Sequence, residues 1–123
     1  KYILVSNWCS YTVTVISIES GKTVKSIKIG RYPRGIAITQ DSQYAYVAEM
    51  GGSNIHRINL NDFTKTLIPV GSNPRAIVLS PDESKLYVTM NLSGKVQAWD
   101  LLNNKTIKSV KTGFLMATSS NLE

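Results

Sequence analysis

Two Pro-Arg pairs have the residue types and the spacing that best suit the binding of an anion. Pro33-Arg34 and Pro74-Arg75 lie 41 residues apart in the chain. A guanidinium group presents its N–H donors in a planar fork that matches a carboxylate or a phosphate. A third arginine and three aromatic side chains are further candidates, since an aromatic ring can stack on a base or a sugar. These four are Arg31, Tyr32, Trp8 and Tyr11.

Catalysis by a cysteine and a histidine is a weak hypothesis, because the chain has one residue of each type. A single cysteine excludes an internal disulfide and a paired-cysteine zinc site, and a single histidine excludes a three-histidine metal site. We expect Cys9 to be a small buried side chain and His56 to be a polar residue on the surface of a sheet. The sequence therefore predicts no catalytic residue of this kind.

A metal site would have to be built around Glu49, with Asn7 and Asn91 at or beside the equivalent points of the repeat described below. A divalent cation that activates water needs several convergent oxygen ligands. The chain also lacks the common nucleophile, zinc-protease and nucleotide-binding motifs. We predict no metal, no cofactor and no enzymatic activity.

The elements that position these residues are the units of an internal repeat. The segment Leu4-Val5-Ser6 recurs as Tyr46-Val47-Ala48 and as Tyr87-Val88-Thr89, at offsets of 42 and 41 residues. The pattern of apolar residues that starts at Val13 recurs at Ile55 and Val96, with the same offsets. The Gly-x-x-Pro-Arg segment at 30–34 recurs at 71–75. Three independent features with one period establish the repeat.

Each period predicts four short strands, and no helical periodicity is present. The first strand, 36–39 or 77–80, is so apolar that we expect both of its faces to be buried. Turns rich in Asp, Ser and Pro follow it, as at Ser80-Pro81-Asp82. The fourth strand carries lysines or a proline, which protect the exposed edge of a sheet. We therefore place the first strand inside and the fourth strand on the outer rim.

A four-stranded unit of this length, with a buried first strand and a charged last strand, is typical of a β-propeller blade. The chain resembles the YVTN-type β-propeller repeat family of bacterial and archaeal surface-layer and periplasmic proteins. The resemblance covers about residues 1–113 and rests on four motifs. They are Tyr87-Val88-Thr89-Met90, Val13-Thr14-Val15-Ile16-Ser17, Gly30-x-x-Pro33 and Ser80-Pro81-Asp82-Glu83. It implies an extracytoplasmic protein of the cell envelope.

The predicted fold is all-β: a partial β-propeller over residues 1–123 with about three blades of 41–42 residues. Blade 1 covers about 1–30 and lacks its inner strand, blade 2 about 31–71 and blade 3 about 72–113, and 114–123 form a degenerate tail. Since the chain begins with Lys1 and a closed ring needs about 4–8 blades, we expect a piece of a larger, about seven-bladed ring. Further blades or another copy would close that ring.

The candidate residues fall on two sets of loops that would meet at one rim of the ring. One set precedes each inner strand and carries Arg31, Tyr32, Arg34 and Arg75, and the other joins the second and third strands and carries Trp8, Tyr11 and Glu49. Binding sites are commonly carried by such loops on a rigid scaffold. The alternative is that each arginine reaches a carbonyl or an acid of the neighbouring blade and ties the ring together.

The function favoured by these patterns is non-catalytic binding of a protein, a glycan or another anionic ligand at the rim. One alternative is a propeller enzyme of the lactonase or cofactor-oxidoreductase type, with its sites in other blades. Another is single-stranded nucleic-acid or polyanion binding, because the formal net charge is +6. The lysines of the outer strands weigh against nucleic acid as the physiological partner, and no apolar run is long enough to span a bilayer.

Overall fold

The computed structural model describes residues 1–112, and the tail predicted for 114–123 lies outside them. Eleven strands make up this part of the chain, as predicted for two blades of four strands and one blade that lacks its inner strand. They are β1 (Tyr2–Asn7), β2 (Thr12–Ser17), β3 (Thr23–Lys28), β4 (Pro33–Ile38), β5 (Tyr44–Glu49), β6 (Asn54–Asn59), β7 (Lys65–Pro69), β8 (Pro74–Leu79), β9 (Lys85–Met90), β10 (Lys95–Asp100) and β11 (Lys105–Lys111). Within residues 1–112 there is no helix that could cross a membrane.

The strands form three antiparallel sheets in chain order, β1-β2-β3, β4-β5-β6-β7 and β8-β9-β10-β11. We call them blade 1, blade 2 and blade 3. The blades are stacked side by side, and β4 contacts both β1 and β8. The strands that begin blades 2 and 3 are therefore the inner ones, and the lysine-bearing or proline-bearing strands β3, β7 and β11 are the outer edges. The all-β arrangement of propeller-like blades is confirmed.

Two apolar layers hold the blades together. Blade 1 packs on one face of blade 2 through side chains that include Val13, Val15, Val47 and Ile58. The opposite face of blade 2 packs on blade 3 through a layer that includes Trp99. Alternate residues of one strand point to opposite faces, so a central sheet can contribute to both layers.

The turns between first and second strands have the chemistry expected from their sequence. The hydroxyl of Thr39 donates to Asp41 Oδ1 at 2.6 Å, and in the next blade the hydroxyl of Ser80 donates to Asp82 Oδ1 at the same distance. These hydrogen bonds and those from the backbone lower the pKa of Asp82 to about 2. The aspartates therefore stay ionised and fix the turns.

The inner strands are less buried than their sequence predicts. Ile38 in β4 is 40% exposed and Val78 in β8 is 58% exposed, so the expectation of burial on both faces is wrong for these strands in residues 1–112. Val78 lies on the face of blade 3 that turns away from blade 2, and no described strand covers that face. Burial of an apolar strand depends on what packs against it as well as on its own composition.

Candidate functional site

The two loop sets predicted to form a rim do meet at one edge of the blades. The Gly51 N–H donates to the carbonyl of Arg31 at 2.8 Å, which joins the β5–β6 loop to the β3–β4 loop. The Asn73 N–H donates to the carbonyl of Gly52 at 2.9 Å, which joins the same loop to the β7–β8 loop of the next blade. Backbone hydrogen bonds therefore connect the rim of blade 2 to that of blade 3.

Both Pro-Arg pairs lie in strands, and not in the preceding loops where the sequence placed them. Arg34 is the second residue of β4 and Arg75 is the second residue of β8. In each strand the pairing with the next strand shifts register between the proline and the residue three positions later. Such an irregularity changes the direction of a side chain, and both arginines remain at the rim end of their strands.

Three aromatic rings from two loops pack together at this rim. The ring centroids of Trp8 and Tyr32 are 5.2 Å apart with a tilted arrangement, and those of Tyr11 and Tyr32 are 5.5 Å apart and edge to face. Both distances fall in the range of favourable aromatic pairs. Trp8 and Tyr11 follow β1 and Tyr32 precedes β4, so the rings also join blade 1 to blade 2.

Arg34 lies over the ring of Trp8. Its guanidinium carbon is 3.9 Å from the ring centroid of Trp8, which is the geometry of a cation–π contact. The guanidinium carbon of Arg31 is 5.8 Å from the Tyr32 ring. We call Trp8, Tyr11, Arg31, Tyr32 and Arg34 the aromatic–arginine cluster. The cluster is a positively charged patch with packed aromatic rings at its base.

No carboxylate of the described chain pairs with the guanidinium groups of this patch. Burial and the neighbouring Arg75 both lower the pKa of Arg34. Among residues 1–112 the only contact between a basic and an acidic side chain is that of His56 with Glu49, so neither Arg34 nor Arg75 has a carboxylate partner. The Nε of Arg34 is buried and has no hydrogen-bond partner. Two adjacent guanidinium groups without an acid create a site that favours an anion.

The alternative prediction is that each arginine ties its blade to the neighbouring blade. The two arginines differ in this respect. Arg34 reaches blade 1, but its contact is the Trp8 ring and not a carbonyl or an acid. Arg75 stays within its own blade, where its Nη1 donates to Asn91 Oδ1 at 3.2 Å. The two equivalent arginines therefore do not share one structural role.

Glu49 lies beside the cluster and binds groups of its own blade. Its Oε2 lies 3.0 Å from His56 Nε2, and its Oε1 accepts a hydrogen bond from the Arg31 N–H at 3.3 Å. A Cβ at Gly52 would lie 2.6–2.9 Å from the Glu49 carboxylate, and one at Gly30 would also collide with it. The two glycines therefore leave the space that the carboxylate occupies.

His56 is the functional-site residue that the sequence interpretation placed wrongly. It is 5% exposed, although we expected it on a sheet surface. His56 pairs with Val47 across the hairpin, so its side chain points into the layer between blades 1 and 2. Burial lowers the pKa of His56, Glu49 opposes this effect, and Lys65 adds to it. The seven-residue spacing of Glu49 and His56, repeated by Asn7 and Thr14, is the signal that could have revealed the pair.

Cys9 also differs from the expectation, since it is exposed and not buried. It lies in the tight turn after β1, where the Tyr11 N–H donates to the carbonyl of Asn7 at 3.0 Å. A side chain at the tip of such a turn has no sheet packed over it. Cys9 and His56 therefore lie in different environments, one exposed and one buried.

The oxygen ligands considered for a metal have other partners. The Asn7 side chain donates to Thr12 and Thr14, Asn91 accepts from Arg75, and Glu49 binds His56. In the part of the chain that the structure describes, no three acidic, His or Cys residues are grouped as a metal would require. The geometry suits recognition of an anion by Arg34 and Arg75 better than it suits metal binding.

Comparison with known proteins gives one sequence relative and one structural neighbour of interest, while no model of a known protein family matches. The chain is 31% identical over 115 residues to Antigen Lp49 of Leptospira interrogans, a match that covers 85% of this chain and 25% of the antigen. It superimposes on a chain of Kuenenia stuttgartiensis hydrazine synthase with a TM-score of 0.83 and 20% identity, over 94% of this chain and 34% of that one. The chain thus spans a quarter to a third of these proteins, and the structural likeness shows the fold alone.

Proposed function

We propose that the chain forms three adjacent blades of a larger β-propeller of the YVTN type, with about seven blades in the closed ring. The 41–42-residue repeat and the contact of β4 with both β1 and β8 support this proposal. The match to one quarter of a longer protein supports it as well. The outward faces of blades 1 and 3 would then be covered by further blades or by another copy of the chain.

We infer that this propeller binds an anionic partner, without catalysis, through the aromatic–arginine cluster. The observation that carries the inference is the Arg34 guanidinium, which lies 3.9 Å from the Trp8 ring centroid while no described carboxylate pairs with it. The contact with Trp8 covers one side of the guanidinium, and its terminal N–H groups, unlike the buried Nε, remain for an acceptor. Arg75, which lowers the pKa of Arg34 together with burial, adds a second positive charge beside it.

The partner that fits this chemistry carries carboxylate, sulfate or phosphate groups beside a flat or ring-shaped body. Acidic glycans and acidic protein surfaces are of this kind, and a sugar face can stack on the exposed part of Trp8. Similarity to a Leptospira protein described as an antigen supports an extracytoplasmic location at the periplasm or cell surface. The lysines of the outer strands, such as Lys25 and Lys108, lie away from the rim and do not extend the patch into a nucleic-acid groove.

The test is binding of a uronic-acid oligosaccharide, compared with a neutral oligosaccharide of equal length. We expect the double variant Arg34→Ala/Arg75→Ala to bind the acidic sugar about tenfold more weakly or worse, because a hydrogen bond to a charged group contributes about 1.5–3 kcal/mol. The matched control Lys25→Ala/Lys108→Ala removes the same charge from the outer edges and should change the affinity less than about twofold at physiological salt. Calorimetry or fluorescence titration measures both.

Thermal unfolding of the same variants separates binding from a structural role. If Arg34→Ala/Arg75→Ala melts at a clearly lower temperature and binds the acidic sugar as before, the arginines hold the blades together and the binding proposal is wrong. Arg75→Ala alone, which leaves the Arg34–Trp8 contact intact, should fold normally and still lose affinity. An equal loss of affinity in the lysine variant would show that only the net charge matters.

A further inference from the structure

A groove on the opposite edge of the blades is lined by residues that are not part of the rim site. It lies between blades 2 and 3, at the end where the first–second and third–fourth strand turns meet, and its volume is about 910 Å³. Small-molecule sites in proteins commonly have volumes of this order. Its wall includes the outer strand β7, and its floor includes residues from β5, β6 and β10.

Two hydrogen-bond donors in the wall of this groove have no acceptor. Trp99 is 6% exposed, and its Nε1 is buried without a hydrogen-bond partner. The Nε of Arg57 is buried without a partner as well. Buried donors without acceptors are rare in folded proteins, and each one calls for an explanation such as a ligand or an ordered water. Both residues line the same groove.

Arg57 is held in place by an aromatic ring and not by an acid. Its guanidinium carbon lies 3.8 Å from the ring centroid of Tyr44. Among residues 1–112 it forms no ion pair. Burial raises the pKa of the adjacent Tyr46, while the charge of Arg57 and a hydrogen bond with it partly oppose this effect. Arg57 is the only basic residue among those that line the groove.

The acidic residues of the groove are tied to the turns that carry them. Asp41 Oδ1 accepts hydrogen bonds from the Thr39 hydroxyl and from the Gln43 N–H. Glu83 Oε1 accepts from the Gln40 N–H at 2.6 Å. These hydrogen bonds hold the two carboxylates in their turns, and neither carboxylate pairs with Arg57.

The groove also offers apolar surface to a ligand. Leu102 is 86% exposed and Leu67 is 56% exposed, and both line the groove. Ile68 and Leu101 lie deeper in the same wall, and they belong to or pack against the core layer between blades 2 and 3. An apolar body could therefore cover side chains that water now contacts.

We propose that this groove is a second binding site, independent of the rim, for a ligand with an apolar body and one carboxylate group. The carboxylate binds the N–H edge of Arg57, and the apolar body lies against Leu67, Leu101 and Leu102. The Trp99 indole N–H lies in the same wall and donates to an acceptor of the ligand. A peptide C-terminus and a fatty acid share this chemistry.

The experiment follows the indole N–H signals of the isotopically labelled full chain by NMR. The chain has two tryptophans, and Trp8→Phe assigns the signal of Trp99. The probes are acetyl-Leu-Leu with a free carboxylate, its C-terminal amide, octanoate and octanol. We expect a saturable shift of the Trp99 signal with at least one carboxylate probe, and at least about tenfold weaker binding of its uncharged counterpart.

Variants of Arg57 test whether its guanidinium binds the carboxylate of the ligand. Arg57→Gln should abolish the preference for the carboxylate form, and Arg57→Lys should keep only part of it because it lacks the planar fork. The matched control Lys65→Gln removes a charge from β7, whose residues line the groove, and should leave binding unchanged.

The proposal is overturned if the Trp99 signal does not move with either carboxylate probe. It is equally overturned if the charged and uncharged forms bind alike, or if Arg57→Gln binds as well as the parent. A shift with octanoate alone identifies a fatty acid, and a shift with the peptide alone identifies a peptide C-terminus.

Discussion

At the scale of single residues, His56 shows how a polar group can be buried in the layer between two blades. Its Nε2 lies 3.0 Å from Glu49 Oε2, while its Nδ1 is buried without a partner. The first contact favours a protonated ring, but burial disfavours it more strongly, and the pKa of His56 is lowered from 6.5. The folded chain therefore favours neutral His56.

The lowered pKa predicts a loss of stability in acid. The unfolded chain takes up a proton at His56 as the pH falls below about 6.5, while the folded chain resists it until a lower pH. The contribution of neutral His56 is therefore fully present above pH 6.5 and is lost as the pH falls from there through the folded-state pKa. Denaturant unfolding at pH 7.5 and at pH 5 measures this difference.

The variant His56→Gln isolates the effect, since the equivalent position of blade 3 is Gln97. Gln97 is buried, and its amide donates to the carbonyl of Val70 at 3.0 Å, so this side chain suits the layer between blades. The variant should lose less free energy of unfolding between the two pH values than the parent chain does. Equal losses in both proteins would mean that His56 does not cause the acid sensitivity.

At the scale of elements, the inner strands β4 and β8 approach each other closely at a glycine. A Cβ at Gly35 in β4 would lie 2.7 Å from the Arg75 carbonyl oxygen in β8, which is too close for a real contact. The equivalent residue of β8 is Ala76, which is exposed. Gly35 and Ala76 thus occupy equivalent positions of the repeat but have different surroundings.

This difference predicts that Gly35→Ala and Ala76→Gly lower the free energy of unfolding by unequal amounts. Gly35→Ala should lower the free energy of unfolding by about 1–3 kcal/mol, because the added methyl group pushes β4 and β8 apart. Ala76→Gly should cost only about 0.5–1 kcal/mol, which is the general effect of a glycine within a strand. Chemical denaturation of both variants measures the two values. Similar costs at both positions would contradict the close approach of β4 and β8.

At the scale of the whole molecule, the outward faces of blades 1 and 3 carry exposed apolar side chains. Ile3 and Val5 in β1 are exposed on one end face, and Val78 in β8 and Val110 in β11 are exposed on the other. By the repeat, Ile3 and Val5 are equivalent to Ala45 and Val47, which are fully buried against blade 1. The two end faces therefore carry the same kinds of apolar residue as the faces that pack together between neighbouring blades.

These faces predict that the chain self-associates when it is produced alone. A contact between one end of a molecule and the other end of the next is complementary, and it leads to rings or open chains of copies. We expect sedimentation velocity to show concentration-dependent association, and Ile3→Lys/Val78→Lys to reduce it strongly with little loss of stability. The control Leu102→Lys adds a charge at an exposed leucine outside both end faces and should leave association unchanged. A monomeric parent chain at all concentrations would contradict the prediction.

The sequence by itself determined the repeat, the eleven strands, the order of the strands in each sheet and the edge on which the candidate residues lie. These features depend on patterns that are local or periodic. Alternating apolar residues define a strand, Asp and Ser define a turn, and lysines protect an edge. The seven candidate residues reached one rim because equal positions of a repeat reach equal positions of the fold.

Only the tertiary structure decided which side chains are covered and which partner each one meets. His56 is buried because the face of β6 that carries it packs on blade 1, and the inner strands are half exposed because part of their surface meets no other strand. Arg34 lies over Trp8, and Arg57 over Tyr44, because turns and strands far apart in the chain come together there. The physical reason is that burial and electrostatic environment depend on contacts between separate elements, whereas strand formation follows from the pattern within each element.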